Sequence, residues 1–213
     1  MNQPDTSYAD YAVATTAALC GIPSPTGFTR AAEAFVFAEL EGMGYSPEYT
    51  NKRSVRVRLG GQGKPLVLAA HVDTLGAVVR AVKPNGALRI SKIGGFPETT
   101  IEGENCVVHT RDGRTFTGRF LLDKPAVHVN NELGSTKRDD ANVEIVLDEL
   151  VSKAEETKAL GIGPGDFVSF DPRVVVTEKG FIKSRHLDDK ASSAVLLALA
   201  KYIKENADRK SVV

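Results

Sequence analysis

The chain changes its repeat pattern twice, and that change limits its fold more than any other feature. Both ends carry apolar residues at helical spacing, whereas roughly a hundred residues between them break into short runs separated by turn signals. Tyr8, Tyr11, Thr15 and Leu19 mark one helix. Gly21-Ile22-Pro23-Ser24-Pro25 ends it, because proline removes a backbone donor and disfavours helix before it. Thr29 is placed to cap a second helix with Ala32, Phe35, Val36, Leu40 and Met43 on one face and Gly44 at its left-handed end. Val55, Val57 and Leu59 alternate with Arg56 and Arg58, the period of a half-exposed strand. Residues 66–70 are apolar throughout, which predicts a strand covered on both sides. Two helices and a buried strand predict an α/β layer.

After Gly76 the runs 77–82, 87–90, 106–110, 115–122, 126–129 and 143–147 have strand character. Pro84-Asn85-Gly86 and Asp112-Gly113 between them provide the positive φ angles of tight turns. Ser152 and Glu155 form a capping-box pattern for one short helix, stopped by Gly161 and Pro164. From Asp188 the helical pattern returns. Ala191, Ala194, Val195, Ala198 and Tyr202 share a face that Leu196, Leu197 and Ile203 widen, as suits a helix buried on a sheet. Ser211, Val212 and Val213 read as the start of another strand, so a chain cut short within its α/β domain is expected. The predicted organisation is an α/β domain in two parts, residues 1–76 and 177–213, interrupted by a β-rich domain at 77–176.

Composition removes several functions. Twenty-seven basic residues balance 27 acidic ones, so no net field attracts nucleic acid or an anionic membrane. No run of 18 apolar residues exists, and the polar, acidic first ten residues lack the plan of a signal peptide. Cytoplasmic residence is expected. Cys20 and Cys106 form no CxxC pair and read as buried free thiols.

His71-Val72-Asp73 follows the apolar run 66–70, where open α/β sheets place ligands beyond the ends of strands. Residues two apart in extended backbone point the same way, so His71 can reach a metal while Asp73 orients a neighbouring group. The plain alternative is a histidine satisfied beside a turn aspartate. Asp188 and Asp189 precede the last helix, where acids also serve as caps that complement the helix dipole. A carboxylate there can equally bridge two cations. His186 repeats the H-x-D spacing with Asp188 and is a rival ligand, although its basic neighbours Lys183 and Arg185 favour a surface or substrate-channel position. His109 and His128 fall in the β-rich part and read as core or surface residues.

The strings Ala69-Ala70-His71-Val72-Asp73-Thr74-Leu75-Gly76, Ile93-Gly94-Gly95 and Ser184-Arg185-His186-Leu187-Asp188-Asp189-Lys190-Ala191, in this order around a β-rich insertion, resemble the tetrahedral aminopeptidase family, which includes glutamyl aminopeptidases. Residues 133–189 look most like a bacterial branch associated with the osmoprotectant N-acetylglutaminylglutamine amide. The resemblance implies a catalytic α/β domain carrying a PDZ-like, barrel-like insertion that builds dimers and then a hollow dodecamer. It implies two divalent ions, zinc first and cobalt or manganese as alternatives, with His71 a ligand of one and Asp188 the bridging ligand. Asp73 becomes the catalytic-site carboxylate that orients His71. It also implies a cis peptide at Asp188-Asp189, although the family often carries Asn at the position of Asp189.

No residue of this chain matches the family's general base, a glutamate, or its remaining carboxylate and histidine ligands, so the chain alone is expected to be inactive. The implied reaction is metal-dependent removal of N-terminal residues from peptides or small amides. A non-catalytic assembly module with a vestigial metal site is the competing reading, and a related metallo-deacylase or carboxypeptidase is a third.

Overall fold

The computed structural model describes residues 7–206. In chain order these form α1 (Ser7–Gly21), α2 (Arg30–Gly42), β1 (Glu48–Tyr49), β2 (Val55–Arg56), β3 (Gly76–Val82), β4 (Leu88–Ile93), β5 (Asn105–His109), β6 (Thr115–Leu122) and β7 (Val143–Leu147). They continue with α3 (Ala154–Ala159), β8 (Phe167–Phe170), β9 (Val175–Val176), β10 (Ile182–Lys183) and α4 (Leu187–Glu205). The chain is thus a mixed α/β protein, and it divides into two compact units: Met1–Thr74 with Pro172–Val213, and Leu75–Asp171.

In the first unit α1 and α2 both pack on α4. Leu40, Leu197 and Ala200 are buried at the centre, and Val36, Met43, Val55, Val57 and Leu59 pack around them. The alternation of β2 and the residues after it therefore does what its period predicts, with Val55, Val57 and Leu59 turned inward. Gly44 closes α2 at φ 78°. Thr29 occupies the N-cap position without a side-chain cap and bonds Glu33 instead. On α4 the buried set is Lys190, Ser193, Ala194, Leu197, Ala198 and Ala200, whereas Val195 is exposed.

Residues 66–70 do not form the covered strand that their apolarity predicts. They pair with no strand, and Leu66 and Val67 are 76% and 82% exposed. Apolarity reports what a segment needs to be covered by, and the described residues supply no cover. Ser211, Val212 and Val213, read as a strand start, lie outside the described residues.

The second unit is a closed six-stranded barrel of order β3-β4-β7-β6-β5-β8, in which every hydrogen-bonded neighbour is antiparallel. Its interior is filled by Val79, Leu88, Ile90, Val108, Phe120, Ile145, Val168 and their neighbours. Closure needs β8, a run of four residues outside the strands that the turn signals predict. Residues 126–129 are turns rather than strand, with Val127 and Val129 exposed. The short helix α3 begins one residue away from the capping box expected: the Ser152 N–H donates to Glu156 Oε2 at 2.7 Å, so Glu156 takes the place assigned to Glu155. The unit ends at Asp171, and residues 172–176 belong with the first unit because β9 pairs with β10 there.

Candidate metal centre

His71 stands at the exit of residues 66–70, on a segment stitched to the loop that ends α1. The Thr74 N–H donates to the Ser24 carbonyl at 2.8 Å, and the Thr26 N–H donates to the Thr74 carbonyl at 3.2 Å. Ser24 Oγ adds a bond to the Val72 carbonyl at 2.7 Å. The prolines flanking Ser24 have no N–H of their own, so this loop pairs through its serine, threonine and carbonyl groups. In sequence the loop looks like no more than a helix stop. It is also the cradle of the His71–Asp73 segment.

Asp73 grips the His71 ring. Its Oδ1 lies 3.1 Å from His71 Nδ1, and its Oδ2 accepts from Thr26 Oγ1 at 2.6 Å. A carboxylate on one ring nitrogen fixes the tautomer and leaves the other nitrogen's lone pair outward. That outward atom, Nε2, is 3.3 Å from Asp188 Oδ1. The two H-x-D-type segments, more than a hundred residues apart in sequence, thus meet side chain to side chain within one unit.

Asp188 is aimed by the entry to α4. Neither Asp188 (φ −84°, ψ 111°) nor Asp189 (φ −117°, ψ 25°) is helical, and the peptide between them is cis. Asp189 turns back, and its Oδ2 accepts from the His71 N–H at 3.4 Å. Ser193, one turn along α4 from Asp189, donates its Oγ to the His71 carbonyl at 3.1 Å. Lys190 is fully buried, its Nζ donating to the Leu19 carbonyl at 2.8 Å and the Ile22 carbonyl at 2.6 Å. Burial pulls its pKa down to about 8, against a smaller opposing effect from Cys20.

His186 is placed differently from the expectation. It is buried at the N-cap of α4, where its carbonyl accepts from Cys20 Sγ at 3.5 Å, so the surface or channel position favoured by its basic neighbours is corrected. His109 is half-buried in the barrel with Nε2 2.8 Å from Ser169 Oγ, and His128 is exposed.

An imidazole nitrogen and a carboxylate oxygen converging from two elements are donors suited to zinc and its neighbours. The Asp73–His71 contact is the support such a ligand takes. These residues fit a divalent ion as part of a shell. Among the described residues no group of three or more His, Cys, Asp or Glu side chains is arranged to hold an ion. Thr26, Ser24, Lys190 and Ser193 escaped the sequence reading. The Ser-Thr loop between helix and H-x-D segment was the one signal available for the first two.

The same residues lie inside the region that known proteins share. The family model described as M42 glutamyl aminopeptidase matches residues 54–213. The proposed aminopeptidase YhfE of Bacillus subtilis (strain 168) is 46% identical over 183 residues, covering 85% of this chain and 53% of its own. Aminopeptidase APDkam598 from the archaeon Desulfurococcus kamchatkensis superposes with a TM-score of 0.79 at 25% identity, over 92% of this chain and 52% of that one. The TET1 peptidase of Pyrococcus horikoshii, described as able to assemble into a tetrahedron or a large octahedral shell, gives 0.76 at 22% identity, over 93% of this chain and 57% of that one. The chain therefore spans about half the length of the relatives it matches.

Proposed function

The chain belongs to the M42 glutamyl aminopeptidase family, and on that premise we propose that it contributes His71, Asp73 and Asp188 to a two-metal aminopeptidase acting on the N-termini of peptides or small amides. The observation that carries this reading is the line Asp73–His71–Asp188, with the ring held at Nδ1 and facing a carboxylate at Nε2. His71 would hold one divalent ion and Asp188, with two oxygens, would bridge to a second. Asp73 keeps the His71 lone pair on Nε2, and Thr26 keeps Asp73 in place. Two bound ions would supply a nucleophilic water at neutral pH and a polarised scissile carbonyl. Zinc suits the donor set first, with cobalt and manganese next.

No described residue stands beside this pair as a further ligand group, so the general base and remaining ligands would come from the other half of a family-length protein. The barrel, as a closed unit with its own core, is the part we assign to homo-oligomer assembly. Assembly into shells is described for the Pyrococcus horikoshii relative. No described helix is long and apolar enough to cross a membrane, and the balanced charge favours no nucleic acid; a cytoplasmic enzyme is our reading.

The test is a comparison of two lengths. A family-length protein continuing this chain should cleave at least one aminoacyl anilide and lose that activity to chelator, to His71→Ala and to Asp188→Asn. The 213-residue chain should leave the same substrates intact. A family-length His71→Ala protein with undiminished activity would sink the assignment and favour the assembly-module reading.

A further inference from the structure

Asp188 presents a problem of aim. Its side chain is 94% exposed, so no packing holds the carboxylate. Its direction is inherited from backbone whose angles at Asp188 (φ −84°, ψ 111°) and Asp189 (φ −117°, ψ 25°) are not those of a regular helix. Something adjacent has to set that backbone.

From Lys190, the next residue, α4 is regular and its side chains are tied down. Lys190 reaches across the α1–α4 seam to the carbonyls of Leu19 and Ile22, where α1 ends and the Leu19 carbonyl also accepts from the Ile22 N–H at 3.0 Å. Leu19, Cys20, Ala194 and Leu197 already make this part of the first unit apolar. An apolar residue would close it without the desolvation that a buried ammonium costs. The charge adds direction: two short bonds fix both the azimuth and the height of the residue that follows Asp188 and Asp189. On the other side Asp189 and Ser193 hold the His71 backbone at its N–H and its carbonyl. The start of α4 is therefore clamped between the end of α1 and the segment bearing His71.

We infer that Lys190 is a positioning residue for the metal pair, its ties to the Leu19 and Ile22 carbonyls setting the direction in which Asp188 faces His71. The inference rests on the metal reading for its purpose, but its geometry is testable without metal. The Lys190 Nζ donates to the Leu19 and Ile22 carbonyls; it acts through Asp188.

The experiment compares wild type, Lys190→Met and Lys190→Arg in the 213-residue chain, by crystal structures without metal and by Co²⁺ titration followed through visible absorption. Lys190→Met removes a buried charge and, with it, the donor to two carbonyls, effects of opposite sign on stability, so its melting curve serves to establish that the variant is folded. Asp188 Oδ1 should nevertheless move beyond roughly 4 Å from His71 Nε2, outside ion-pair distance. Co²⁺ binding should weaken about 10- to 100-fold with an altered spectrum, as when supports behind metal ligands are lost. Lys190→Arg, which keeps charge and donors, should recover most of the affinity. A folded Lys190→Met protein that keeps the Asp188–His71 contact overturns the inference, whatever its Co²⁺ affinity. Should Lys190→Met fail to fold, Lys190→Gln, which retains one donor group, is judged by the same distance. Equal Co²⁺ binding by wild type and Asp188→Asn would instead remove the metal reading, and the Asp188–His71 distance would still decide the role of Lys190.

Discussion

Asp73 does two things with two oxygens: it holds the His71 ring and is itself held by Thr26. On the proposed metal reading, Asp73→Ala should therefore weaken divalent-metal binding about 10- to 100-fold, and His71→Ala, which would remove a ligand, should weaken it more; isothermal titration of both variants checks the order. Equal losses would show that Asp73 is a ligand and not a support. A second residue-scale prediction concerns pH. Burial lowers the pKa of His109 below the ordinary 6.5, so the unfolded chain binds this proton more readily than the barrel does. The corresponding stability is present above pH 6.5 and is lost as the pH falls below it. His109→Gln should flatten the fall in melting temperature between roughly pH 7 and pH 5; an unchanged slope would place the acid sensitivity elsewhere. At this scale the approach of His71, Asp73 and Asp188 to one another was legible, because ligand-type side chains at fixed spacing leave a mark in sequence. Ser24, Lys190 and Ser193 were not, because they work through backbone carbonyls, which look the same under every residue.

Elements were legible where a period of two or 3.6 coincided with a partner inside the chain. β2, β3, β6 and β7 and both N-terminal helices meet that condition. Residues 66–70 do not, and their apolarity predicted a cover that no described residue provides. Replacing Leu66 and Val67 by Thr in the 213-residue chain should change stability by no more than about 0.5 kcal/mol each, the usual range for exposed sites; a loss of several kcal/mol on chemical denaturation would mean the segment is covered. The barrel responds differently. A Cβ on Gly118 would lie 2.6 Å from the Val146 carbonyl oxygen of the paired strand, so Gly118→Ala should cost about 1–3 kcal/mol by overpacking. Phe120→Ala, which empties the barrel centre, should cost about 3–5 kcal/mol. Denaturant midpoints rank the two, and a neutral Gly118→Ala would mean that β6 and β7 separate at that point.

The chain divides into two compact units, and in the sequence a helical pattern is interrupted by short strands. A barrel-like insertion was expected from the family resemblance, and the closed sheet bears it out; the periodicity alone did not show the closing strand β8, four residues whose sequence carries little period. Residues Leu75–Asp171 expressed alone should unfold in one cooperative transition, because the closed sheet leaves no edge and carries its own core. Loss of near-ultraviolet signal without a transition would show that the barrel depends on the rest of the chain. Whether His71 and Asp188 share a divalent ion, as proposed, is decided by anomalous diffraction at the zinc edge from Zn²⁺-soaked crystals. The predicted result is a peak about 2.0–2.2 Å from both His71 Nε2 and an Asp188 carboxylate oxygen. A peak at His128 or His109 with none at His71 would contradict it.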